Sequence, residues 1–287
     1  MTKRKKTAIT LLIPLTLAAL MLPGFYQGLA VQRYTLNTDK FTGAVRIALL
    51  TDLHSCRYGE GMGVLLSAIE AERPDLILLC GDILDNHQPD DNAETLLRGL
   101  EGRWPCYYVS GNHECWSGDR AFGEKMALLE RYGVTILAGN WAAVDVRGVS
   151  LNLCGVDDPE AVRLGEAVRR SQGRYREQIA AVSAAAENGN FTVLLAHRPE
   201  FFEDYLDRGF DLVLSGHTHG GQWRIPGLLN GLYAPNQGFF PAYAGGRYEE
   251  RGTTMIISRG LARESTRLPR FYNRPELVII DLEGTKP

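Results

Sequence analysis

Apolar residues along the chain recur in short runs that alternate with amphipathic segments. Continuous apolar runs rich in β-branched residues predict buried strands. They cover residues 45–50, 76–80, 106–110, 191–196, 211–215, 253–258 and 276–281. A helical spacing of apolar residues predicts helices over 64–72, 91–101, 119–132, 159–187 and 200–208. Three more strands are expected between residues 134 and 156, separated by Gly-Asn and Arg-Gly turns.

The order of these elements predicts the fold class. Strands and helices alternate first and strands then cluster, which favours a mixed α/β sandwich over a purely parallel sheet. Residues 225–246 are rich in Gly, Pro and aromatic residues without periodicity. They are expected to form one long loop, and long loops in compact domains are often functional.

The amino terminus differs from the rest of the chain. Four basic residues at 3–6 precede a stretch without charge up to Arg33. Residues 8–26 are long enough, at about 1.5 Å per residue, to span a hydrocarbon core. Because basic residues stay cytoplasmic, we expect a single-pass membrane protein with an N-terminal transmembrane helix within residues 1–30 and an extracytoplasmic domain over 31–287. The alternative is a cleaved signal peptide ending near Ala30.

Composition and charge narrow the function classes. Hydrophobic residues make up 45% of the chain and charged residues 23%, which excludes a disordered, collagenous or coiled-coil protein. The net charge is −3, although the first 40 residues carry six Lys/Arg and one acid. The body is therefore acidic, which argues against nucleic acid as a structural partner.

The five cysteines give little evidence of a structural framework. No C-x-x-C pair occurs, so a zinc ribbon is not expected, and an odd number excludes a full disulfide framework. Cys56 and Cys115 each follow a polar motif, so a bridge between them stays open as a minor alternative.

Polar residues recur where the predicted strands end. Five of the six histidines occupy these positions, together with two aspartates, one asparagine and one glutamate. Ligand sites in open α/β sheets collect at the carboxyl ends of strands. The candidate residues are Asp52, His54, Asp82, Asn112, His113, Glu114, His197, His217 and His219.

A metal centre explains this set better than packing does. Each buried imidazole needs partners for two nitrogens, and histidine with carboxylate suits Zn, Fe or Mn. Asp52 and His54 lie two residues apart, as do His217 and His219, which puts both side chains of each pair on one face of an extended segment. Asp82 could bridge two ions.

These motifs resemble the calcineurin-like metallophosphoesterases. The matching blocks are D-x-H at 52–54, G-D at 81–82, G-N-H-E at 111–114, a lone His197 after an apolar strand, and G-H-T-H at 216–219. Their order and spacing match the family, and the nearest branch resembles the membrane-associated bacterial enzymes. The resemblance implies a four-layer fold with two mixed sheets packed together and helices outside.

The resemblance also implies roles for the matching positions. One divalent ion would be held by Asp52, His54 and His219, a second by Asn112, His197 and His217, and Asp82 would bridge the two. His113 would face the leaving group as proton donor, oriented by Glu114.

The predicted function is therefore that of a dinuclear metal-dependent phosphoesterase. Metal-bound hydroxide would attack a phosphoester or pyrophosphate bond, with a cell-envelope or lipid-linked substrate expected. One alternative is a pyrophosphatase of the UDP-2,3-diacylglucosamine type in lipid A synthesis. The other is a metal-binding scaffold without turnover.

Two further groups are left open by the sequence. Arg198, Arg259, Arg263 and Arg267 could contact phosphate or form ordinary solvated and salt-bridged side chains. The aromatic residues of the 225–246 loop and its flank could form a substrate lip, a membrane-facing patch or plain packing; they are Trp223, Tyr233, Phe239, Phe240 and Tyr243.

Overall fold

The computed structural model describes residues 19, 21–163, 168–263 and 269–285. In chain order, its strands are β1 (Ala30–Thr38), β2 (Thr42–Leu50), β3 (Leu76–Cys80), β4 (Cys106–Val109), β5 (Val134–Ile136), β6 (Asn140–Val146), β7 (Val149–Gly155), β8 (Phe191–Leu195), β9 (Leu212–Ser215), β10 (Tyr233–Ala234), β11 (Gly238–Phe239), β12 (Gly246–Glu250), β13 (Thr253–Ile257) and β14 (Glu276–Thr285). The helices are α1 (Gly63–Glu72), α2 (Asp91–Leu100), α3 (Asn112–Trp116), α4 (Asp119–Arg131), α5 (Pro159–Arg163), α6 (Val168–Ser183) and α7 (Phe202–Tyr205).

The longer strands form two six-stranded mixed sheets. The first has the order β1-β14-β2-β3-β4-β5, and the second has the order β12-β13-β9-β8-β7-β6. Strands β2 to β5 run parallel, whereas β14 is antiparallel to β2. In the second sheet, β7, β8, β9 and β13 run parallel, and β6 and β12 are antiparallel at the edges.

The main core lies between the two sheets. Side chains such as Leu49 and Leu78 from the first sheet pack with Leu153, Leu195 and Leu214 from the second, and all five are fully buried. Burying a leucine side chain contributes roughly 1.5–3 kcal/mol, so this layer joins the sheets firmly.

Helices cover the outer faces of both sheets. Leu65 of α1 and Leu97 of α2 pack against the first sheet. Ile179 and Val182 of α6 pack against the second sheet. The expected mixed α/β sandwich with outer helices is confirmed.

The predicted single-pass membrane localisation is not supported by the structure. No helix in the described part of the chain is long and apolar enough to cross a membrane. Residues Leu22–Phe25 form only a short 3-10 turn containing Pro23, and Tyr26 is already extended. A continuous helix over 8–26 is therefore not found at its described end, and residues 1–18 and 20 lie outside the described residues. The single-pass, extracytoplasmic localisation is corrected accordingly.

Several element predictions differ in detail. β1 and β12 were not expected, and both are partly exposed edge strands whose apolar pattern is weak. The helix expected over 200–208 is a 3-10 turn followed by the four-residue α7. The helix expected over 159–187 is divided into α5, α6 and a 3-10 segment, while residues 164–167 lie outside the described residues.

Candidate metal centre

The seven predicted metal ligands come together where the two sheets meet. Asp52 and His54 follow β2, Asp82 follows β3, and Asn112 begins α3 directly after β4. The second sheet supplies the remaining three ligands, which are His197 after β8 and His217 and His219 after β9.

Three groups of three residues in the described part of the chain have ligand atoms that all lie within 4.8 Å of one another. Two of them consist of predicted ligands only: Asp52, His54 and His219 form one, and Asp82, His197 and His217 form another. The third combines His54 with Asp85 and His113, which are not predicted ligands. The carboxylate of Asp82 connects the two groups of predicted ligands, because its Oδ2 lies 3.1 Å from His197 Nε2 and 3.6 Å from His54 Nε2.

The donor atoms of these residues fit a metal ion. Among the described residues, six side-chain atoms of predicted ligands are buried without a hydrogen-bond partner: Asp52 Oδ2, His54 Nε2, Asp82 Oδ2, Asn112 Oδ1, His197 Nε2 and His219 Nδ1. A buried polar atom without a partner costs about 1–3 kcal/mol, and six such atoms at one point would be unusual without a bound ion. Oxygen and imidazole nitrogen are donors that Zn, Fe and Mn accept.

Hydrogen bonds also set the histidine tautomers. The Nδ1 of His197 lies 2.9 Å from the carbonyl oxygen of Cys80, which can only accept, so Nδ1 carries the proton and Nε2 keeps its lone pair. His54 Nδ1 lies 2.9 Å from Asp85 Oδ2, with the same consequence. Both arrangements are typical of histidines that bind metals through the other nitrogen.

Electrostatics at the centre favours positive charge. Burial would lower the pKa of His197, but the negative charges of Asp82 and Asp52 outweigh burial and raise it to about 10. Without a metal ion, Nε2 of His197 would therefore also carry a proton, and an ion bound at Nε2 would take the place of that proton. Burial lowers the pKa of His217 and His219 well below the usual value, so these two imidazoles are neutral. A neutral imidazole is the form that binds metal.

The backbone of the ligand loops is strained. Asp52, His54, Asp82, His217 and His219 all have positive φ angles, between 48° and 67°. Such conformations cost about 1–3 kcal/mol for a residue other than glycine and cluster at functional sites.

Two glycines are required by close approach. A Cβ atom on Gly81 would lie 2.4 Å from His197 Nδ1, and one on Gly111 would lie 2.2 Å from Asp82 Oδ1. Both distances are far below van der Waals contact, so a side chain at either position would displace a ligand.

Glu114 differs from its predicted role. Its carboxylate is fully buried and accepts hydrogen bonds from the backbone amides of Asp82, Ile83, Leu84 and Gly111 at 2.7–3.0 Å. Four donors occupy both oxygens, because the short helix α3 directs this side chain back into the 81–84 loop. Glu114 thus holds the loop that carries Asp82, and no hydrogen bond between Glu114 and the His113 ring occurs in the described residues.

The His113 ring is held by two residues that the sequence analysis missed. His113 Nδ1 lies 2.8 Å from Asn86 Oδ1 and 3.3 Å from Asp85 Oδ2. Both oxygens accept, so Nδ1 carries a proton and Nε2 is left for other partners. Asp85 and Asn86 could have been found as polar residues directly after the apolar pair Ile83-Leu84, in the loop of Asp82.

Arg198 is not a solvated side chain, and its guanidinium is already occupied by other residues of the protein. It is buried, forms a two-pronged ion pair with Asp158, and donates to Asn236 Oδ1 at 2.7 Å. The same Asn236 oxygen lies 2.9 Å from His217 Nε2. Arg198 Nη1 also lies 3.1 Å from His217 Nε2, so Arg198 supports this predicted metal ligand both directly and through the long loop.

The remaining arginine, cysteine and aromatic candidates from the sequence have different surroundings. Arg259 is paired with Glu276, Arg263 lies over the Tyr58 ring with 5.3 Å between guanidinium carbon and ring centre, and Arg267 lies outside the described residues. All five cysteines, each of which the structure describes, are buried free thiols, so Cys56 and Cys115 are not bridged. Phe239 and Phe240 of the long loop are about 70% exposed.

Comparison with known proteins identifies the family of the chain. The sequence model of the family described as calcineurin-like phosphoesterase matches residues 45–221. An uncharacterised metallophosphoesterase of Helicobacter pylori (strain J99) is 30% identical over 83% of this chain, which spans 60% of that protein's length. Another from Aquifex aeolicus is 26% identical over 89% of this chain and 92% of its own length.

Solved structures share the fold. The NAD nucleotidase of Haemophilus influenzae superposes with a TM-score of 0.53 at 15% identity, over 77% of this chain and 46% of its own. A dimetal phosphatase from Danio rerio superposes with a TM-score of 0.50 at 14% identity, over 76% of this chain and 88% of its own. At these identities the likeness concerns the fold alone.

Proposed function

Since the chain belongs to the calcineurin-like phosphoesterase family of metal-dependent phosphoester hydrolases, we propose that it hydrolyses its substrate with two divalent ions held between its sheets. The observation that carries the proposal is the cluster of buried ligand atoms without hydrogen-bond partners among the described residues. The two ligand groups joined through Asp82 support two ions rather than one.

The ligands divide between the two positions. Asp52, His54 and His219 would hold one ion, and Asn112, His197 and His217 the other, with Asp82 shared. Mn, Fe or Zn fits these donors. Two such ions, when bound, activate water and neutralise the charge of a phosphate undergoing in-line displacement.

His113 is the proposed proton donor to the leaving group. Burial opposes its protonation, but hydrogen bonding to Asp85 and the charges of Asp82 and Asp85 outweigh burial and raise the pKa of His113. Its side chain is 24% exposed, so a substrate can reach the ring. A positioned acid contributes about 10²–10⁴-fold to rate.

The substrate is proposed only as a class, a phosphoester or pyrophosphate. The alternative of a UDP-2,3-diacylglucosamine-type pyrophosphatase, like the lipid-linked or cell-envelope substrate, depended on the expected membrane anchor. The described residues contain no membrane-spanning helix to support it.

The test is hydrolysis of bis-p-nitrophenyl phosphate by the purified protein with added Mn²⁺, together with elemental analysis. We expect metal-dependent turnover and two ions per chain. Turnover with only one bound ion would contradict the dinuclear centre. Full metal loading without turnover on any phosphoester of a broad panel would favour the non-catalytic scaffold.

A further inference from the structure

An exposed tryptophan stands beside the proposed proton donor. Trp116 is the last residue of α3, and its side chain is 52% exposed. Its ring centre lies 4.9 Å from that of His113, with 47° between the ring planes. An indole ring is a large apolar surface, and exposing half of one next to a catalytic group calls for an explanation.

Neighbouring residues already contact the His113 ring face and its Nδ1 atom. The His54 ring lies 4.3 Å away, on the side of the metal ligands. Asn86 and Asp85 occupy Nδ1. A leaving group approaches the His113 ring from solvent, and Trp116 is a large exposed side chain in contact with that ring.

We propose that Trp116 is a specificity-determining residue whose indole face stacks on an aromatic ring of the leaving group, as a nucleobase would provide. This inference rests on the proposed function of His113 as the proton donor. Because the ring centres of His113 and Trp116 are 4.9 Å apart, a leaving group whose oxygen takes a proton from His113 lies close to the indole. Stacking of a base on an aromatic side chain is worth about 1–3 kcal/mol by alanine substitution.

Polar groups near His113 suit a base more than an alkyl chain. Asn86 contacts His113, and its amide nitrogen is 3.2 Å from Nε2 of the exposed His87. An amide and an imidazole near the proton donor offer hydrogen bonds to the edge of a base, whereas an acyl chain offers none in return.

The test compares AMP with ribose 5-phosphate as inhibitors of bis-p-nitrophenyl phosphate hydrolysis by the Mn²⁺-loaded enzyme. The two share the phosphate and the sugar and differ only in the base. In the wild type, AMP should bind more tightly by about 5- to 150-fold, the equivalent of 1–3 kcal/mol. Trp116→Ala should remove this difference, and Trp116→Phe should keep most of it.

Trp141→Ala is the matched control, since Trp141 is a 40% exposed tryptophan on the edge strand β6. The inference is overturned if wild type does not distinguish the two inhibitors, or if Trp116→Ala distinguishes them as well as wild type does. It is also overturned if Trp116→Ala weakens both inhibitors equally, which would indicate contact with the sugar. Failure of the proposed function would appear separately, as a wild type without metal-dependent turnover.

Discussion

Asp82 is the carboxylate that both groups of metal ligands share, so its loss should affect both. We expect Asp82→Asn to lower activity by more than about 100-fold and to weaken both ions, because the one anionic ligand between them is removed. Elemental analysis after dialysis and hydrolysis of bis-p-nitrophenyl phosphate measure this. Asp207→Asn, which removes a 65% exposed partner of Arg251, is the control. An active variant with two tightly bound ions would contradict the bridging role.

The loss of His113 should slow hydrolysis most for substrates with a poor leaving group. We expect His113→Asn to slow alkyl phosphoesters by about 10²–10⁴-fold, while nitrophenyl esters are slowed much less because nitrophenolate departs without a proton. Metal content should stay nearly unchanged. Equal slowing of both substrates at full metal occupancy, with chemistry rate-limiting for both, would reject proton donation.

At the scale of single residues, the sequence predicted which side chains meet but not what supports them. The seven ligands could be predicted because each follows an apolar strand. Asp85 could be placed in the loop of Asp82, but its contacts with His54 and His113 could not be predicted, since they arise from the turn in which its Oδ1 accepts from the amides of His87 and Gln88. Long-range partners such as Arg198 and Asn236 depend on how the long loop folds back.

At the scale of secondary-structure elements, the hydrogen bonds of Glu114 join α3 to the 81–84 loop, and we call this contact the Glu114 clamp. Glu114→Gln replaces one carboxylate oxygen of Glu114 by an NH₂ group, which can only donate. The backbone amides that donate to this oxygen in the wild type would lose their acceptor. Each buried amide left unpaired costs about 1–3 kcal/mol. We expect a lower melting temperature in chelator and weaker metal binding, because the loop carries Asp82.

Thermal denaturation and metal titration measure the effect of Glu114→Gln. Glu124→Gln on the exposed side of α4, where Glu124 pairs with Arg120, is the control and should change stability little. If Glu114→Gln melted like the wild type, the Glu114 clamp would not stabilise the loop.

Elements were predictable to the extent that they are buried. Strand β3 is fully buried along its length and was predicted with its observed bounds. Strand β1 alternates between half-buried and exposed positions, with Leu36 as its one buried residue. Its apolar pattern was therefore too weak for a strand to be predicted there, directly after the longer apolar stretch of residues 8–26.

At the scale of the whole molecule, bound metal should stabilise the fold, since the ligands come from both sheets. One ion at 100 times its dissociation constant adds about 2.7 kcal/mol. For a domain of this size that corresponds to a rise in melting temperature of about 5–11 °C. Denaturation with Mn²⁺ and with chelator should show this rise, and Asp82→Asn should reduce it. Identical melting in both conditions would contradict metal ligation by both sheets.

The position of β14 has a consequence for the order in which the protein can assemble during synthesis. Of the described strands, β14 leaves the ribosome last, yet it lies between β1 and β2, and β1 pairs with β14 alone. All strands of the second sheet precede it in the chain. The second sheet can therefore form while translation continues, whereas β1 gains its partner in the first sheet only with residues 276–285. Because β14 also pairs with β2, the strand that leads into Asp52 and His54, this side of the metal centre gains its last neighbouring strand only after translation has passed β14.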